Sequence, residues 1–376
     1  MPPRRTKIAD FASAAIFAIA SAALLFAGGG QARSIQKRAA EVLETENSQI
    51  QQLGLLVMGS QYLKVKILEG ERMGEVFRAE NNIRAQMDLD KIFNAGDKII
   101  VSMPPDASPE KDVLTAQDYD RTGYAAWLFG LFAVLLLVFG GWTGAKALLS
   151  FVFAFAFIWK VVVPACLSGM NAVAVCFGAV VLLSFAIIFL VGGFSRKALA
   201  AFCGAISGVG ASCIMAVYFT DLFSINGATM PFSLALLNSG HEFLKLADLF
   251  VGGVFLSSSG AVMDLAMDVA AGQEEIFFHK RDITRAQLAL SGVKIGRSVV
   301  GTMTTTLLLA YSGGFLTLIM AFTAEGVSAI DFVNNPYVAS EIVKTIIGSF
   351  GLVLVAPLTA AIGGIIIPRK KYENID

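Results

Sequence analysis

Eight runs of mostly apolar residues constrain this chain more than any other feature. Each run is close to the roughly 20 residues that a helix needs to cross a bilayer. They lie at residues 8–28, 124–142, 146–166, 171–193, 198–220, 246–270, 298–321 and 345–367. Because lipid offers no hydrogen bonds to an exposed backbone, runs of this length predict transmembrane helices. We therefore expect an all-α polytopic membrane protein with about eight transmembrane helices.

Composition agrees with a chain that is surrounded mainly by lipid. Charged residues make up 15% of the sequence and the mean hydropathy is +0.68, whereas soluble domains carry about 25% charged residues. The formal net charge is zero, so no basic field indicates a nucleic-acid partner. The partner that composition does indicate is the lipid bilayer.

The apolar runs divide the chain into four parts. We expect an N-terminal transmembrane anchor at 1–33, an extracytoplasmic β-rich domain at 34–120, a seven-helix transmembrane domain at 121–368 and a cytoplasmic tail at 369–376. A basic start and small residues at 27–30 also fit a cleaved signal peptide. The first run is longer than the apolar part of a typical signal peptide, which favours an uncleaved anchor.

Residues 34–120 contain no spanning run, and their pattern predicts several short strands. Residues 64–68 alternate polar and apolar side chains, as a half-buried strand does. Glycines mark a turn at 70–74, and two prolines end a strand that begins at Lys98. Residues 39–56 fit a strand or a helix, and we favour a strand. Short strands separated by glycine turns predict a small β-barrel or sandwich.

Lysine and arginine in short loops predict the orientation, because they are enriched on the cytoplasmic side of membranes. Basic residues precede the first run and recur in alternate segments, at 196–197, 279–297 and 369–371. We therefore expect a multi-pass protein of the inner or plasma membrane with both termini in the cytoplasm. Mixed apolar and charged residues at 272–294 also predict an amphipathic helix at the interface.

Two aspartates, Asp264 and Asp268, lie near the end of the sixth run. Carboxylates are costly at membrane depth and usually face a protein interior or a water-filled cavity. Because the two are four residues apart, they share one face of a helix. At 1.5 Å per residue, Asp264 lies about 9 Å from the cytoplasmic end of its run. Asp264 is therefore the more unusual of the two carboxylates, because it lies deeper in its run.

The seventh run supplies polar side chains at the same depth. It is antiparallel to the sixth, so Thr302, Thr305 and Thr306 reach the level of Asp264 if the two spans are neighbours. Arg297 would lie at the same depth as Asp268. A cation there lowers the free-energy cost of keeping the carboxylates charged. We expect these six residues to form an ion or substrate path. The alternative is a purely structural polar network between helices.

Sequence patterns for catalysis are weak. His241 and Glu242 begin a zinc-protease pattern, but Lys245 stands where the second histidine is required. The chain has two histidines, no phosphate-binding loop that ends in Gly-Lys-Ser/Thr, and no CxxC pair among its four cysteines. We therefore expect no enzyme activity, no cofactor and no metal site.

Distinctive motifs are densest between residues 250 and 360. They comprise 260–264, 274–276, 291–297, 301–303, 306–311 and 341–359, with 64–66 and 70–74 in the outer domain. Through these motifs the chain resembles the YibE/F family of bacterial multispan membrane proteins. The resemblance implies the same architecture in a bacterial cell membrane, and it supplies no substrate. Asp264 and Arg297 match the family pattern, whereas Ser298 stands where the family has an aspartate.

The resulting functional hypothesis is a transporter or permease of an unknown small solute or ion, with a proton or cation bound at Asp264. The alternative is a non-transporting membrane scaffold. Its outer domain would dock an envelope protein partner or a second copy in a homo-oligomer.

Overall fold

A computed structural model describes residues 4–26 and 36–368. The predicted cytoplasmic tail at 369–376 lies outside the described residues. The chain forms two compact units: one is residues 28–138, and the other combines 1–27 with 139–376.

The first unit contains a closed five-stranded β-barrel. Its strands are β1 (Gln36–Leu53), β2 (Leu56–Ile67), β3 (Val76–Arg84), β4 (Lys98–Met103) and β5 (Val113–Tyr119). The order around the barrel is β1-β2-β3-β5-β4, and all pairs are antiparallel except the parallel pair β3–β5. This is the five-stranded Greek-key arrangement of the OB-fold class. The prediction of a small β-barrel is confirmed, and residues 39–53 are strand, as favoured, with a turn at 54–55 before β2.

A buried polar network holds the loop between β3 and β4 against the barrel. Gln61 and Phe93 are fully buried. The Gln61 amide donates to the Phe93 carbonyl at 2.8 Å and accepts from the Phe93 amide at 3.0 Å. Asn81 donates to the Lys91 carbonyl at 2.6 Å and to Gln61 at 3.1 Å. Because buried polar groups are costly unless paired, these bonds specify the position of the loop.

Helices make up most of the remaining chain. They are α1 (Arg4–Phe26), α2 (Thr122–Phe157), α3 (Val163–Leu167), α4 (Ala172–Gly192), α5 (Arg196–Leu222), α6 (Ser233–Asn238), α7 (Leu246–His279), α8 (Arg285–Gly313), α9 (Leu316–Ala324), α10 (Ala329–Asn334) and α11 (Pro336–Ile366). Among the described residues, five helical stretches are long and apolar enough to cross a membrane, and the bent pair α8–α9 makes a sixth. The prediction of a mostly helical protein with several helices of membrane-spanning length is confirmed.

Two of the predicted runs, 124–142 and 146–166, lie in one helical stretch of 46 residues, Thr122–Leu167. At 1.5 Å per residue this stretch would measure about 69 Å, more than twice the thickness of a bilayer core. Gly141 interrupts it with a non-helical backbone (φ 51°, ψ −127°). The sequence predicts a loop between the two runs, whereas the structure has a helix break at Gly141. Glycine adopts these backbone angles because it has no Cβ to clash.

The predicted interfacial helix at 272–294 is not formed. Instead, α7 continues to His279 and α8 begins at Arg285, so a short turn joins two long helices. Thr284 caps α8: its hydroxyl accepts from the Gln287 amide, and the Gln287 side chain accepts from the Thr284 amide. This reciprocal capping explains why a new helix starts at that residue.

Helix α11 packs closely against α5 and α8 at small residues. A Cβ on Gly204 of α5 would lie 2.7 Å from the Cβ of Thr359, and one on Gly296 of α8 would lie 2.6 Å from the Cβ of Ala356. Such distances leave no room for a side chain. In membranes, where lipid is as apolar as the helix surfaces, close van der Waals contact of this kind drives helix association.

Gln273 joins three helices at the centre of this packing. Its side chain is fully buried. The amide nitrogen donates to the Leu288 carbonyl of α8 at 3.1 Å and to the Ala360 carbonyl of α11 at 2.8 Å. A Cβ on Gly363 would lie 2.9 Å from Cδ of Gln273, so α11 reaches this position only because it has glycine there.

Because successive long helices run in opposite directions, the start of one helix meets the end of another at each end of the bundle. At one end, Lys197 of α5 pairs with Glu274 of α7 at 3.0 Å, and Arg196 donates to the Pro368 carbonyl beyond α11. At the other end, the hydroxyls of Thr229 and Ser340 are 2.9 Å apart. The basic residues at the start of α5 therefore meet the final turns of α7 and α11.

We expect Gly204→Ala to destabilise the protein, because the new Cβ would overlap Thr359. Overpacking typically costs about 1–3 kcal/mol, which corresponds to a melting temperature roughly 2–8 °C lower. Gly210→Ala is the matched control, since it lies in the same helix and no atom lies within 4 Å of its added Cβ. Thermal unfolding of the purified proteins in detergent measures the difference. Equal melting temperatures for the two variants would contradict the close packing.

Candidate functional site

The six predicted site residues lie on α7 and α8, which pack side by side as antiparallel neighbours. Near one end, the hydroxyls of Ser257 and Tyr311 are 2.8 Å apart. Near the other end, a Cβ on Gly272 would lie 2.6 Å from Cδ1 of Ile295. Interpolation between these contacts brings Asp264 to the level of Met303, next to the threonine run.

The structure does not bring the charged members into contact. Asp264, Asp268 and Arg297 are exposed on the surface of the helical unit. Within 4–26 and 36–368, none of the ion pairs shorter than 4.0 Å includes any of the three. The two carboxylates therefore line an open face of α7.

The three threonines satisfy their hydroxyl donors within α8. Thr302 donates to the Val299 carbonyl at 2.9 Å, Thr305 to Gly301 at 3.0 Å and Thr306 to Thr302 at 2.9 Å. These are bonds to the carbonyl three or four residues earlier, which hydroxyls commonly make in helices. Each oxygen keeps a lone pair, so the threonines present acceptors on an exposed face.

A charge pair that the sequence analysis missed lies within α11. Glu341 and Lys344 are 3.6 Å apart, and their side chains are 21% and 31% exposed. The second oxygen of Glu341, Oε2, is buried and has no hydrogen-bond partner among the described residues. The Lys344 ammonium also lies 5.3 Å from the centre of the Tyr311 ring, within the range of a cation–π interaction.

The pair was missed because the last apolar run begins at residue 345. In the structure, α11 begins at Pro336, so both charged residues lie inside the helix. A local signal marks this start: the Asn335 side chain accepts from the Tyr337 amide, and proline occupies the first helical position. Asparagine followed by proline is a recognised helix start and was available in the sequence.

Glu341 and Lys344 face a cavity of about 750 Å³. Its wall includes residues 228–235, Ser257 of α7, Phe315 after α8 and the two charged residues. Small-molecule sites typically measure about 300–1,000 Å³ and combine an apolar lining with a few polar groups. This cavity has both properties.

A break between α8 and α9 forms one side of the cavity. Helix α8 ends at Gly313, α9 begins at Leu316, and their axes differ by 63°. The last carbonyls of a helix carry partial negative charge. The Lys344 ammonium lies 5.3 Å from the ring centre of Tyr311, in the last turn of α8, and 6.0 Å from that of Phe315, just after it. Irregular backbone at membrane depth is tolerated where it lines a cavity.

The cavity adjoins the face of α7 that carries the aspartates. Ser257 lines the cavity, and Asp264 follows seven residues later. Seven residues are almost two turns, so the two side chains share a face about 10 Å apart. Ala261 lies between them. The charge pair and the predicted carboxylates are therefore joined by one strip of small and polar residues.

A family model described as YibE/F-like protein matches residues 128–369, well over half of the chain. The chain belongs to the YibE/F family. The matched range runs from α2 to the end of α11, so it includes α7, α8 and the cavity, and the β-barrel precedes it. No curated protein and no solved structure matches the chain.

We expect the Glu341–Lys344 pair to be energetically coupled, because losing one partner leaves the other charge unpaired in a poorly solvated site. Glu341→Gln and Lys344→Met should each lower the melting temperature, and the double variant should lower it by less than their sum. Coupling between contacting residues is typically about 0.5–3 kcal/mol. Thermal unfolding of all four proteins measures it.

Glu275→Gln is the control for this set of single and double variants. The Glu275 carboxylate pairs with His279 on an exposed surface. We expect this variant to leave the melting temperature unchanged, since exposed pairs contribute little. Strict additivity of the Glu341 and Lys344 variants would show that the pair has no energetic role.

Proposed function

We propose that this YibE/F protein is a transporter or permease of a small solute. The observation that carries the proposal is the 750 Å³ cavity at the break between α8 and α9, with Glu341 and Lys344 on its wall. Discontinuous helices carry the substrate sites of many secondary transporters. Ionisable residues within membrane helices mark substrate and ion pathways. The two features occur together here.

The solute path follows the face of α7 from the cavity to the aspartates. Ser257 lies at the cavity, and Asp264 binds a proton or cation about 10 Å further along. The threonine oxygens on α8 supply acceptors for a cation. An exposed carboxylate in a spanning helix needs a proton, a cation or water, which is what an ion-coupled path provides.

In the membrane we propose eight crossings with both termini in the cytoplasm of a bacterial cell. They are α1, the two parts of Thr122–Leu167 on either side of Gly141, α4, α5, α7, the bent pair α8–α9, and α11. Basic residues support this orientation: Arg196 and Lys197 gather with the last turns of α7 and α11 at one end of the bundle. The β-barrel is then extracytoplasmic.

A scaffold role is the second candidate. The β-barrel has its own buried core, which includes Val65, Phe77 and Ile99, and it precedes the range that the family model matches. In this role it would dock an envelope protein or a second copy of the chain. Function would then depend on the barrel and tolerate Asp264→Asn.

Ion flux in proteoliposomes tests the leading proposal. Under an imposed voltage and pH gradient, we expect the wild-type protein to carry a proton or cation current above that of empty liposomes. Asp264→Asn should reduce this current at least about tenfold, because the amide neither ionises nor carries the charge of the carboxylate. Glu341→Gln should also reduce it if the cavity lies on the path.

Asp248→Asn is the matched control, since Asp248 also lies on α7 but sixteen residues before Asp264, on the opposite face of the helix. Its current should equal that of the wild type. A wild-type current no greater than that of empty liposomes would overturn coupling to protons or the tested cations. A current that all three variants retain would remove Asp264 and Glu341 from the path.

A further inference from the structure

One end of the β-barrel carries a rim of exposed apolar side chains. The hairpin between β1 and β2 and the loop between β3 and β4 supply them. The members of this apolar rim are Leu53, Leu55, Leu56, Met87, Leu89 and Ile92, of which Leu55 is 81% and Met87 71% exposed. A recess of about 320 Å³ lies between the hairpin and the loop. Contiguous apolar patches on folded domains usually mark interaction sites.

Strand pairing shows which end of the barrel this is. In the parallel pair β3–β5, Arg78 is opposite Val113. The end of β5 at Tyr119 is therefore level with Arg84, where β3 ends and the loop to β4 begins. Arg84 pairs with Met58, next to the β1–β2 hairpin. The rim and the exit of β5 thus lie at the same end of the barrel.

Helix α2 continues from that exit. It begins at Thr122, three residues after β5, and belongs to an apolar stretch that is long enough to cross a membrane. Tyr124 and Trp127 are exposed in its first turns. Tyrosine and tryptophan are enriched where membrane helices meet the bilayer surface. The chain therefore reaches the bilayer surface within a few residues of the barrel.

Direct contacts link the rim to this crossing point. Lys91, which lines the recess next to Leu55, pairs with Asp118 at 3.0 Å. The Tyr119 hydroxyl donates to the carbonyl of Ile92, a rim residue, at 3.1 Å. Asp118 and Tyr119 lie four and three residues before the start of α2 at Thr122. The rim is therefore the part of the barrel next to the membrane.

The opposite end of the barrel has a different character. Its loops, 68–75 and 104–112, contain six acidic and two basic residues. Met73 is the most exposed apolar side chain there, at 71%. Charged loops are suited to water, whereas the rim is suited to a surface that covers apolar groups.

Three acidic residues near the rim, Asp90, Asp97 and Asp118, accept local hydrogen bonds, whereas Asp88 is exposed between Met87 and Leu89. The Asp90 carboxylate accepts from the backbone amides of Arg84 and Gln86, and Asp97 accepts from the Asn94 amide. Burial raises the pKa of Asp118, but bonds from Lys91, the Tyr119 amide and Arg121 outweigh it and hold the pKa below its usual value. These contacts lower the cost of bringing the rim to a lipid surface.

We propose that the apolar rim binds the surface of the lipid bilayer, into which Leu55 and Met87 insert. The buried network of Gln61, Asn81 and Phe93 holds the loop in place, so the rim is presented without further ordering. Binding seats the barrel on the membrane next to the start of α2. The proposal goes beyond solute transport and does not depend on it.

Site-specific photocrosslinking tests this contact in the full-length chain. A benzophenone amino acid replaces Leu55 in one variant and Met73 in the other, which is exposed to a similar extent at the opposite end. Both proteins are reconstituted into liposomes of phosphatidylethanolamine and phosphatidylglycerol and irradiated. We expect phospholipid adducts, detected by intact-protein mass spectrometry, to be at least about fivefold more abundant at position 55.

Equal lipid labelling at the two positions would overturn the proposal. A crosslinked dimer from position 55, in place of lipid adducts, would assign the rim to a second copy. In whole cells, an adduct with another protein that replaces the lipid adduct would assign it to that partner. Because no flux is measured, these outcomes are independent of whether the protein transports a solute.

Discussion

Close contact between α11 and its neighbours is the constraint on which the helical unit depends. Glycines on α5, α8 and α11 remove side chains where the helices meet, and Gln273 bonds to backbone carbonyls of both α8 and α11. Lipid provides little hydrophobic drive for helices to associate, so packing and interhelical hydrogen bonds must hold them together. This packing fixes α11, and with it Glu341 and Lys344, beside the break after α8.

Low polarity of the surroundings explains how the remaining polar groups are arranged. The threonines of α8 satisfy their donors on their own helix, and Lys344 is placed between Glu341 and the ring of Tyr311. Asp264 has no ion pair within the described residues. It shares this property with Asp268 and Arg297, so the exposed charged residues of α7 and α8 contrast with the paired Glu341 and Lys344 of α11.

Much of the fold could be predicted because its signals are local. Apolar runs of spanning length identify membrane helices, and alternation with glycine turns identifies the strands that form the barrel. Spacing alone also puts Asp264 and Asp268 on one helix face. The structure adds that α7 and α8 are neighbours, which brings Asp264 to the level of Met303. The position of Glu341 inside the last helix could also be predicted, since Asn335 and Pro336 mark the start of that helix.

The sequence by itself determined that the chain is mostly helical with helices of spanning length, which residues form the β-domain, and which helices carry the unusual charges. Only the tertiary structure decided which of those charges meet. It separates Arg297 from the aspartates, pairs Glu341 with Lys344 beside a cavity, and brings the apolar rim next to the start of α2. The physical reason is that hydropathy and periodicity report only on residues that are near one another in the sequence. Burial and pairing depend on which distant helices and strands pack together.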